Sequence, residues 1–254
     1  MYDAGARPDG YLREYAEEFG SVEIDSTFYG TPPPERVRRW AAQVPDGFTF
    51  ALKLSREITH ELRLLGPRAL VEEFVASALE FGDKLEAILI QTAPDFGPAE
   101  IGALDAFVRE LPQGPRWAFE ARDKDWFHGD AHQQLRDVLG THGVALAVTD
   151  GTFVPLETML HELRRPTASH AYVRWIGQHG AFERCDEIAI DRGAEIAQWA
   201  DAIRDAAPQL SRLAGYASNQ FAGHAPATVR SIFAALGVPR RRPHRIQQPS
   251  LFEG

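Results

Sequence analysis

Residues 85–93 read LEAILIQTA, an almost continuous apolar run. This pattern is typical of a strand in a parallel sheet, which helices bury on both faces. Comparable β-rich runs recur along the chain, and we predict seven strands in all. They are SVEIDST (21–27), FTFALKLS (48–55), LEAILIQTA (85–93), RWAFEARD (116–123), VALAVTDG (144–151), HAYVRWIG (170–177) and LAGYASN (213–219).

Helical patterns lie between these strands, for example ERVRRWAAQVP at 35–45 and RALVEEFVASALEFG at 68–82. Strict alternation of strands and helices predicts a parallel sheet covered by helices. An open doubly wound sheet would usually carry a glycine-rich phosphate loop after its first strand, and EIDSTFYG at 23–30 is unlike G-x-G-x-x-G. We therefore predict an α/β fold of the (β/α)8 TIM-barrel type.

Seven strands leave such a barrel one strand short. PDGYLREYAEEFG at 8–20 reads as a helix ahead of the first visible strand, so the missing strand would precede that helix. We therefore expect the barrel to lack its first β-strand. Two explanations are open: translation starts upstream of Met1, or the product lacks that segment. The gap should open between the VEIDST and YASN strands, or another segment should fill it. We expect one barrel domain over 1–238 and a flexible basic tail over 239–254.

Composition restricts the classes of function. The 254 residues carry a formal net charge of −9, so direct nucleic-acid binding is disfavoured except near the basic tail. No apolar run approaches the roughly 18 residues of a membrane helix. The amino terminus lacks a signal-peptide pattern, so we predict a cytoplasmic protein without membrane association. The single cysteine, Cys185, excludes an internal disulfide.

Polar side chains follow the predicted strands at their carboxyl ends, which in a TIM barrel form the functional face, here called the mouth. Burying carboxylates, cations and amides together is costly unless they pair or bind something. The set predicts a site for an anionic or sugar-like small molecule. The catalytic candidates are Glu120, Arg122, Glu23 and Asp150, and the ligand-binding candidates are Asp25, Thr27, Tyr29, Lys53, His60, Gln91, Trp126, Arg174 and Asn219.

Strand alternation predicts how these side chains point. Glu23, Asp25 and Thr27 should share the inward face, and Glu120 should point the same way as Arg122. For each residue a purely structural role stays open, such as an ion pair between adjacent strands. No metal-ligand spacing is strong, so no cofactor is evident. His and carboxylate ligands gathered at the mouth would nevertheless allow a divalent metal.

The stretch VEIDSTFYGTPPPERVRRWAAQVPDGFTFALKLSREITHE, residues 22–61, resembles the YecE-like family of TIM-barrel proteins, known as domain of unknown function 72. The resemblance extends over ILIQTAPDF (88–96), WAFEARDKDWF (117–127), AVTDG (147–151), YVRWIG (172–177) and SNQFAGHAPATV (218–229). It implies a TIM barrel with a polar mouth, and it supplies no reaction.

The chain departs from the family pattern at three places. Asp25 stands where the family usually has Asn, and Ser218 precedes Asn219 where the family usually has two Asn. The first departure adds a negative charge to the predicted site. The family also opens with a glycine-rich strand ending in G-x-x-G-W-x-Y, which has no counterpart here. That difference agrees with the independent count of seven strands.

Two functional hypotheses follow. In the first, the protein is a hydrolase, isomerase or lyase acting on a phosphorylated, sugar-like or nucleic-acid-derived substrate. Glu120 would be the general acid or base oriented by Arg122, while Arg174 and Lys53 would hold the anionic group. Gln91 and Asn219 would position that group. In the second, the protein is a non-catalytic adaptor that binds a ligand at its mouth, and every carboxylate there has a basic partner.

The chain ends in RRRPHRIQQPSLFEG, residues 240–254. Gln248, Leu251 and Phe252 resemble the pentapeptide Q-L-S/D-L-F, by which bacterial replication and repair proteins bind the sliding clamp of DNA polymerase. The resemblance implies a clamp as partner and a role in DNA repair, although Pro249 replaces the usual leucine. The alternative is that Leu251 and Phe252 fold back and seal the bottom of the barrel.

Overall fold

The computed structural model of the protein describes residues 11–239. The strands are Ser21–Ile24 (β1), Thr49–Lys53 (β2), Leu85–Gln91 (β3), Trp117–Glu120 (β4), Ala145–Leu146 (β5), Val148–Asp150 (β6), His170–Trp175 (β7) and Arg212–Ala217 (β8). The helices are Tyr11–Glu18 (α1), Pro34–Ala42 (α2), Arg68–Ala78 (α3), Ile101–Arg109 (α4), Gly129–Thr141 (α5), Leu156–Arg164 (α6), Gly193–Ala206 (α7), Asn219–Ala222 (α8) and Ala225–Leu236 (α9).

The strands form two parallel sheets in chain order, β1 to β5 and β6 to β8, so the fold is α/β with parallel sheets. Each of the seven predicted strands overlaps an observed strand. The predicted strand VALAVTDG is interrupted at Ala147, where the chain passes from the first sheet to the second. Ala147 N still donates to Phe119 O of β4 at 2.8 Å.

Two local elements differ from the prediction. β1 ends at Ile24, and Asp25–Tyr29 form a 3-10 turn, so the predicted alternation does not continue to Thr27. Helix α6 was not among the predicted helices, although Met159, Leu160 and Leu163 are all buried on one side of it.

The hydrophobic core has three layers. The outer faces of β1 to β5 pack against α1 to α5, and the outer faces of β6 to β8 pack against α6 to α9. Between the sheets lies a third cluster of mostly small residues. It takes Ala51, Ala87 and Ala118 from the first sheet, and Tyr172 and Tyr216 from the second. The two sheets therefore wrap around one shared interior.

The arrangement is not a closed barrel. Within residues 11–239 no backbone ladder joins β1 to β8, and the opening between them is called the seam below. The predicted opening between the VEIDST and YASN strands lies at the same place. The predicted TIM-type barrel is not confirmed, because strand pairing within residues 11–239 ends at the seam and is also interrupted at Ala147.

Side chains connect the two sheets at the amino ends of the strands. Arg212 of β8 donates from Nε to Glu86 Oε1 of β3 at 2.8 Å, and Thr49 Oγ1 donates to Glu86 Oε2 at 2.7 Å. Burial raises the pKa of Glu86, but the hydrogen bonds from Arg212 and Thr49 outweigh it and lower that pKa overall. His170 Nε2 of β7 donates to Trp117 O of β4 at 2.9 Å. These contacts hold the sheets together away from the mouth.

Candidate functional site

Arg174 lies at the carboxyl end of β7, in the middle of the mouth. Side chains alternate along this strand, so Ala171, Val173 and Trp175 pack against the helices. Tyr172 and Arg174 point the other way, into the interior shared by the two sheets. Arg174 is only 4% exposed. A guanidinium buried to this degree requires acidic partners.

Two carboxylates from the other sheet meet this guanidinium. Arg174 Nε and Nη2 donate to Glu23 Oε2 and Oε1 at 2.9 and 2.6 Å, and Nη1 donates to Glu120 Oε2 at 2.6 Å. Tyr172 OH also donates to Glu23 Oε2 at 2.6 Å. Gln91, the register partner of Glu120, donates from Nε2 to Glu120 Oε1 at 2.7 Å. All four carboxylate oxygens therefore accept a hydrogen bond.

Lys53 extends this network towards solvent. Its Nζ lies 2.6 Å from Asp25 Oδ1 and 3.7 Å from Glu23 Oε1. Thr27 has a different role, because its Oγ1 donates to the main chain and accepts from Lys53 N at 3.0 Å. The 3-10 turn after β1 places Asp25 above Lys53 and anchors Thr27 on the end of β2. Of the three residues predicted to share one face, only Glu23 points into the interior network.

The electrostatics keep the network charged. Burial raises the pKa of Glu23, but the charges of Arg174 and Lys53 outweigh it and hold that pKa below its ordinary value. Burial lowers the pKa of Arg174, yet Glu23 and Glu120 hold it well above the usual range. Burial and the neighbouring Glu23 raise the pKa of Tyr172, so its hydroxyl stays a donor. The ion pairs therefore persist at neutral pH.

Arg122 does not orient Glu120, as the sequence had suggested. Its Nε donates to Thr92 O at 2.8 Å, and its Nη2 lies 2.9 Å from His60 Nε2. His60 reaches this position on a π-helical turn, Glu57–Glu61, that follows β2. Glu120 is instead oriented by Gln91 from the neighbouring strand β3 and by Arg174 from β7 of the other sheet.

Besides Arg122 and His60, other candidates also lie outside the network. Asp150 lies on the outer side of β6, where Trp199 Nε1 of α7 donates to its Oδ2 at 2.7 Å. Burial raises the pKa of Asp150, and the hydrogen bond from Trp199 offsets only part of that rise. Trp126 is fully buried and donates to Phe96 O, which makes it a core residue. Tyr29 is 84% exposed on the 3-10 turn.

A cavity of about 590 Å³ opens along the seam and reaches the mouth. Glu23, Lys53 and Arg174 line its polar end, together with Asn219, whose Oδ1 accepts from Ala225 N at 2.8 Å. The remaining lining is more apolar and comes from α1, the edges of β1 and β8, and α9: Tyr15, Phe19, Val22, Val229 and Phe233. Of the predicted mouth residues, Glu23, Asp25, Lys53, Arg174 and Asn219 therefore border this space, whereas Glu120, Arg122, His60 and Gln91 are not part of its lining.

Two further residues of this cavity were missed by the sequence reasoning. His179 and Cys185 belong to the long connection after β7, and both line the cavity. Gln220 holds this connection by accepting from Phe182 N at 3.1 Å and donating to Phe182 O at 3.2 Å. No sequence motif marks the two residues, because their position depends on how the loop folds back over β8.

Neither a metal-ligand cluster nor a membrane-spanning helix is found among the described residues. Within residues 11–239, no three His, Cys, Asp or Glu side chains are grouped as a metal ion would need. In the same part of the chain, no helix is both long and apolar enough to cross a membrane. Gln248, Leu251 and Phe252 lie outside the described residues.

A family model and individual relatives of known sequence identify the same protein family. The family model described as "Protein of unknown function DUF72" matches residues 1–251. The chain is 30% identical to the UPF0759 protein YecE of Escherichia coli K12 over 181 residues, which cover 65% of this chain and 66% of YecE. It is 23% identical to the UPF0759 protein YunF of Bacillus subtilis over 176 residues, 66% of this chain and 62% of YunF. The matched stretch therefore spans about two thirds of these relatives.

Solved structures support the fold. A DUF72 family protein from Enterococcus faecalis superposes with a TM-score of 0.74 at 21% identity, covering 91% of this chain and 94% of that one. A DUF72 family protein from Thermotoga maritima gives a TM-score of 0.69 at 20% identity, covering 93% and 90%.

Proposed function

This chain belongs to the YecE-like DUF72 family, and from that premise we propose that it binds a small anionic or sugar-like molecule at the mouth. The observation that carries the proposal is the cavity of about 590 Å³, with Glu23, Lys53 and Arg174 at its polar end. Small-molecule pockets usually measure roughly 300–1,000 Å³ and carry a few convergent polar groups on an apolar lining. This cavity has both properties.

The pairing of the carboxylates favours binding over acid–base catalysis. A catalytic acid or base needs a pKa matched to its task, which usually requires a carboxylate away from cations. Glu23 is held by Arg174 and Lys53, and Glu120 is held by Arg174 and Gln91. The hydrolase, isomerase or lyase hypothesis, with Glu120 as general acid or base, therefore has less support than ligand binding without turnover.

The same proposal treats the fold as a (β/α)8 TIM-type barrel that lacks its first strand and is open at the seam. Its support is the sequential order of parallel strands around one interior cluster, with helical segments between successive strands except at the β5–β6 break. In this arrangement the polar cavity lies at the carboxyl ends of the strands, where TIM barrels bind their ligands.

The test is a ligand screen with a matched pair of variants. Sugars, sugar phosphates, nucleotides and divalent metal salts are added to the full chain, and the melting temperature and the heat of binding are recorded. A ligand that binds the folded state raises the melting temperature. The Lys53→Met variant should bind the hit at least about tenfold more weakly, since it loses one charged hydrogen-bond donor.

Arg109→Met serves as the control, because Arg109 is an exposed arginine at the end of α4. Its binding should match that of the original chain. NMR of the bound ligand should show no chemical change after prolonged incubation. Turnover that is lost in Glu120→Gln would favour the enzyme hypothesis, and no binding across the panel would refute the proposal.

We also propose that the carboxy-terminal peptide docks on a DNA sliding clamp, on the sequence of Gln248, Leu251 and Phe252 alone. Adjacent apolar side chains of such a peptide would enter a hydrophobic pocket, while the preceding arginines would suit an acidic partner. A peptide covering residues 245–254 should bind the clamp with micromolar affinity. Changing Leu251 and Phe252 to alanine should abolish binding without altering stability, whereas a large stability loss would favour the fold-back alternative.

A further inference from the structure

Arg122 lacks the acidic partner that other partly buried arginines have. Arg174 and Arg212 each reach a buried carboxylate, and Arg63 and Arg136 each form an ion pair as well. No carboxylate of residues 11–239 lies within salt-bridge distance of Arg122. Its guanidinium contacts Thr92 O, His60 Nε2 and the ring of Phe153, whose centroid is 5.4 Å away.

His60 does not supply the missing negative charge, and its hydrogen bonds fix it in the neutral form. Thr59 Oγ1 donates to Ser55 O at 3.0 Å, so it accepts from His60 Nδ1–H at 2.9 Å. The other ring nitrogen, Nε2, is then free to accept from Arg122 Nη2. Burial lowers the pKa of His60, and the charges of Arg122 and Arg56 lower it further.

The guanidinium of Arg122 is thus a partly buried, uncompensated cation. Burial lowers the pKa of Arg122, the charge of Glu120 only partly offsets this, and the charge of Arg174 lowers that pKa further. A guanidinium carries five N–H donors, and the described partners of Arg122 use two of them. The remaining donors belong to Nη1 and Nη2, and two guanidinium nitrogens together can bind an oxyanion with two parallel hydrogen bonds.

We infer that Arg122 is the anion-binding group of the mouth and that it holds the phosphoryl group of a small phosphorylated ligand. This inference rests on the proposed function and narrows its ligand class. Arg122 lies beside the lining of the cavity and not in it, within electrostatic reach of Glu120 and Arg174. The sequence had assigned that role to Arg174 and Lys53, but both are neutralised by carboxylates of the chain. Thr92, His60 and Phe153 fix the guanidinium in place before the anion arrives, which reduces the entropic cost of binding.

The experiment compares inorganic phosphate, a sugar phosphate and the same sugar without phosphate on the full chain by isothermal titration calorimetry. Phosphate and the sugar phosphate should bind, and Arg122→Gln should weaken both by about tenfold or more. Arg122→Lys should retain part of the affinity, because it keeps the charge and loses the paired donors. Arg116→Gln, which removes an arginine at the amino end of β4, should bind as the original chain does.

NMR titration of His60 provides a readout that does not depend on ligand. Arg122→Gln should raise the pKa of His60, since the charge of Arg122 contributes to lowering it. Urea unfolding shows whether each variant folds. Phosphate affinity that is unchanged in a folded Arg122→Gln variant would overturn the inference. If the sugar and the sugar phosphate bind equally tightly, through Lys53 and independently of Arg122, the proposed function stands and this inference alone is overturned. No binding of any probe would overturn both.

Discussion

Removing Arg174 should destabilise the protein strongly, because three charge-assisted hydrogen bonds to two buried carboxylates are lost together. In Arg174→Met, Glu120 keeps only Gln91, while Glu23 keeps Tyr172 and the more distant Lys53. Breaking a buried ion pair by removing one partner costs about 3–5 kcal/mol. We expect the free energy of unfolding at pH 7 to fall by that amount.

Urea unfolding followed by tryptophan fluorescence and circular dichroism measures this loss, provided that the slope of the transition stays constant. Arg164→Met is the control, because it breaks the exposed pair between Arg164 and Asp205. Exposed pairs contribute about 0–1 kcal/mol. Adding Glu120→Gln to Arg174→Met should restore part of the loss, since it removes a carboxylate left without a cation.

The loss should also depend on pH in a defined direction. With Arg174 present, the lowered pKa of Glu23 contributes stability above the carboxylate's unfolded pKa, and that contribution is lost on acidification. In Arg174→Met, only Lys53 and Tyr172 offset the effect of burial on the pKa of Glu23, so that pKa should rise. The difference in unfolding free energy between the variant and the original chain should therefore shrink as pH falls towards 4.5. A loss below about 1 kcal/mol at pH 7, equal to that of the control, would show that water already solvates the network and would refute this reasoning.

Three other perturbations test the structure at separate places. Gly177→Ala should destabilise by about 1–3 kcal/mol more than Gly180→Ala in urea unfolding, because both have positive φ but only at Gly177 would a Cβ lie 2.1 Å from Gln220 O. Burial lowers the pKa of His170 below 6.5. The free energy of unfolding should therefore fall as pH drops through 6.5, by at most about 1.4 kcal/mol per pH unit, and His170→Gln should reduce this pH dependence. Asp150→Asn should unfold at equal or higher urea concentration at pH 7 and leave ligand affinity unchanged, because burial disfavours the charged Asp150 carboxylate and it lies outside the mouth network.

The strands were predictable because continuous apolar runs in the sequence mark segments that are buried on both faces of a sheet. The apolar run at 85–93 is buried on both faces by its neighbours, and β3 forms there. The place where a strand stops was less predictable. The alternation from Glu23 through Thr27 fits a longer strand, yet Thr27 Oγ1 bonds to Ile24 O and Lys53 O and so stabilises a turn instead.

The partners of the site residues were harder still to predict. Glu120 and Arg122 are two residues apart, which suggested a pair, but Arg174 reaches Glu120 from 54 positions away. Which cation fills the space between two carboxylates depends on how the two sheets face each other, and no local pattern encodes that. Asp150 illustrates the same limit, since its face of the strand is set by the break at Ala147.

The seam changes what holds the mouth together. Strands that share a ladder resist separation through many backbone hydrogen bonds. Within residues 11–239, β1 is instead attached to the second sheet at the mouth by Arg174 and Tyr172 through the Glu23 side chain. An ion pair between Arg230 of α9 and Glu18 of α1 adds a second, more exposed link across the seam. Protonating Glu23 would weaken the attachment at the mouth, so acidity rather than ionic strength should govern its strength there, because salt screens buried charges much less than exposed ones.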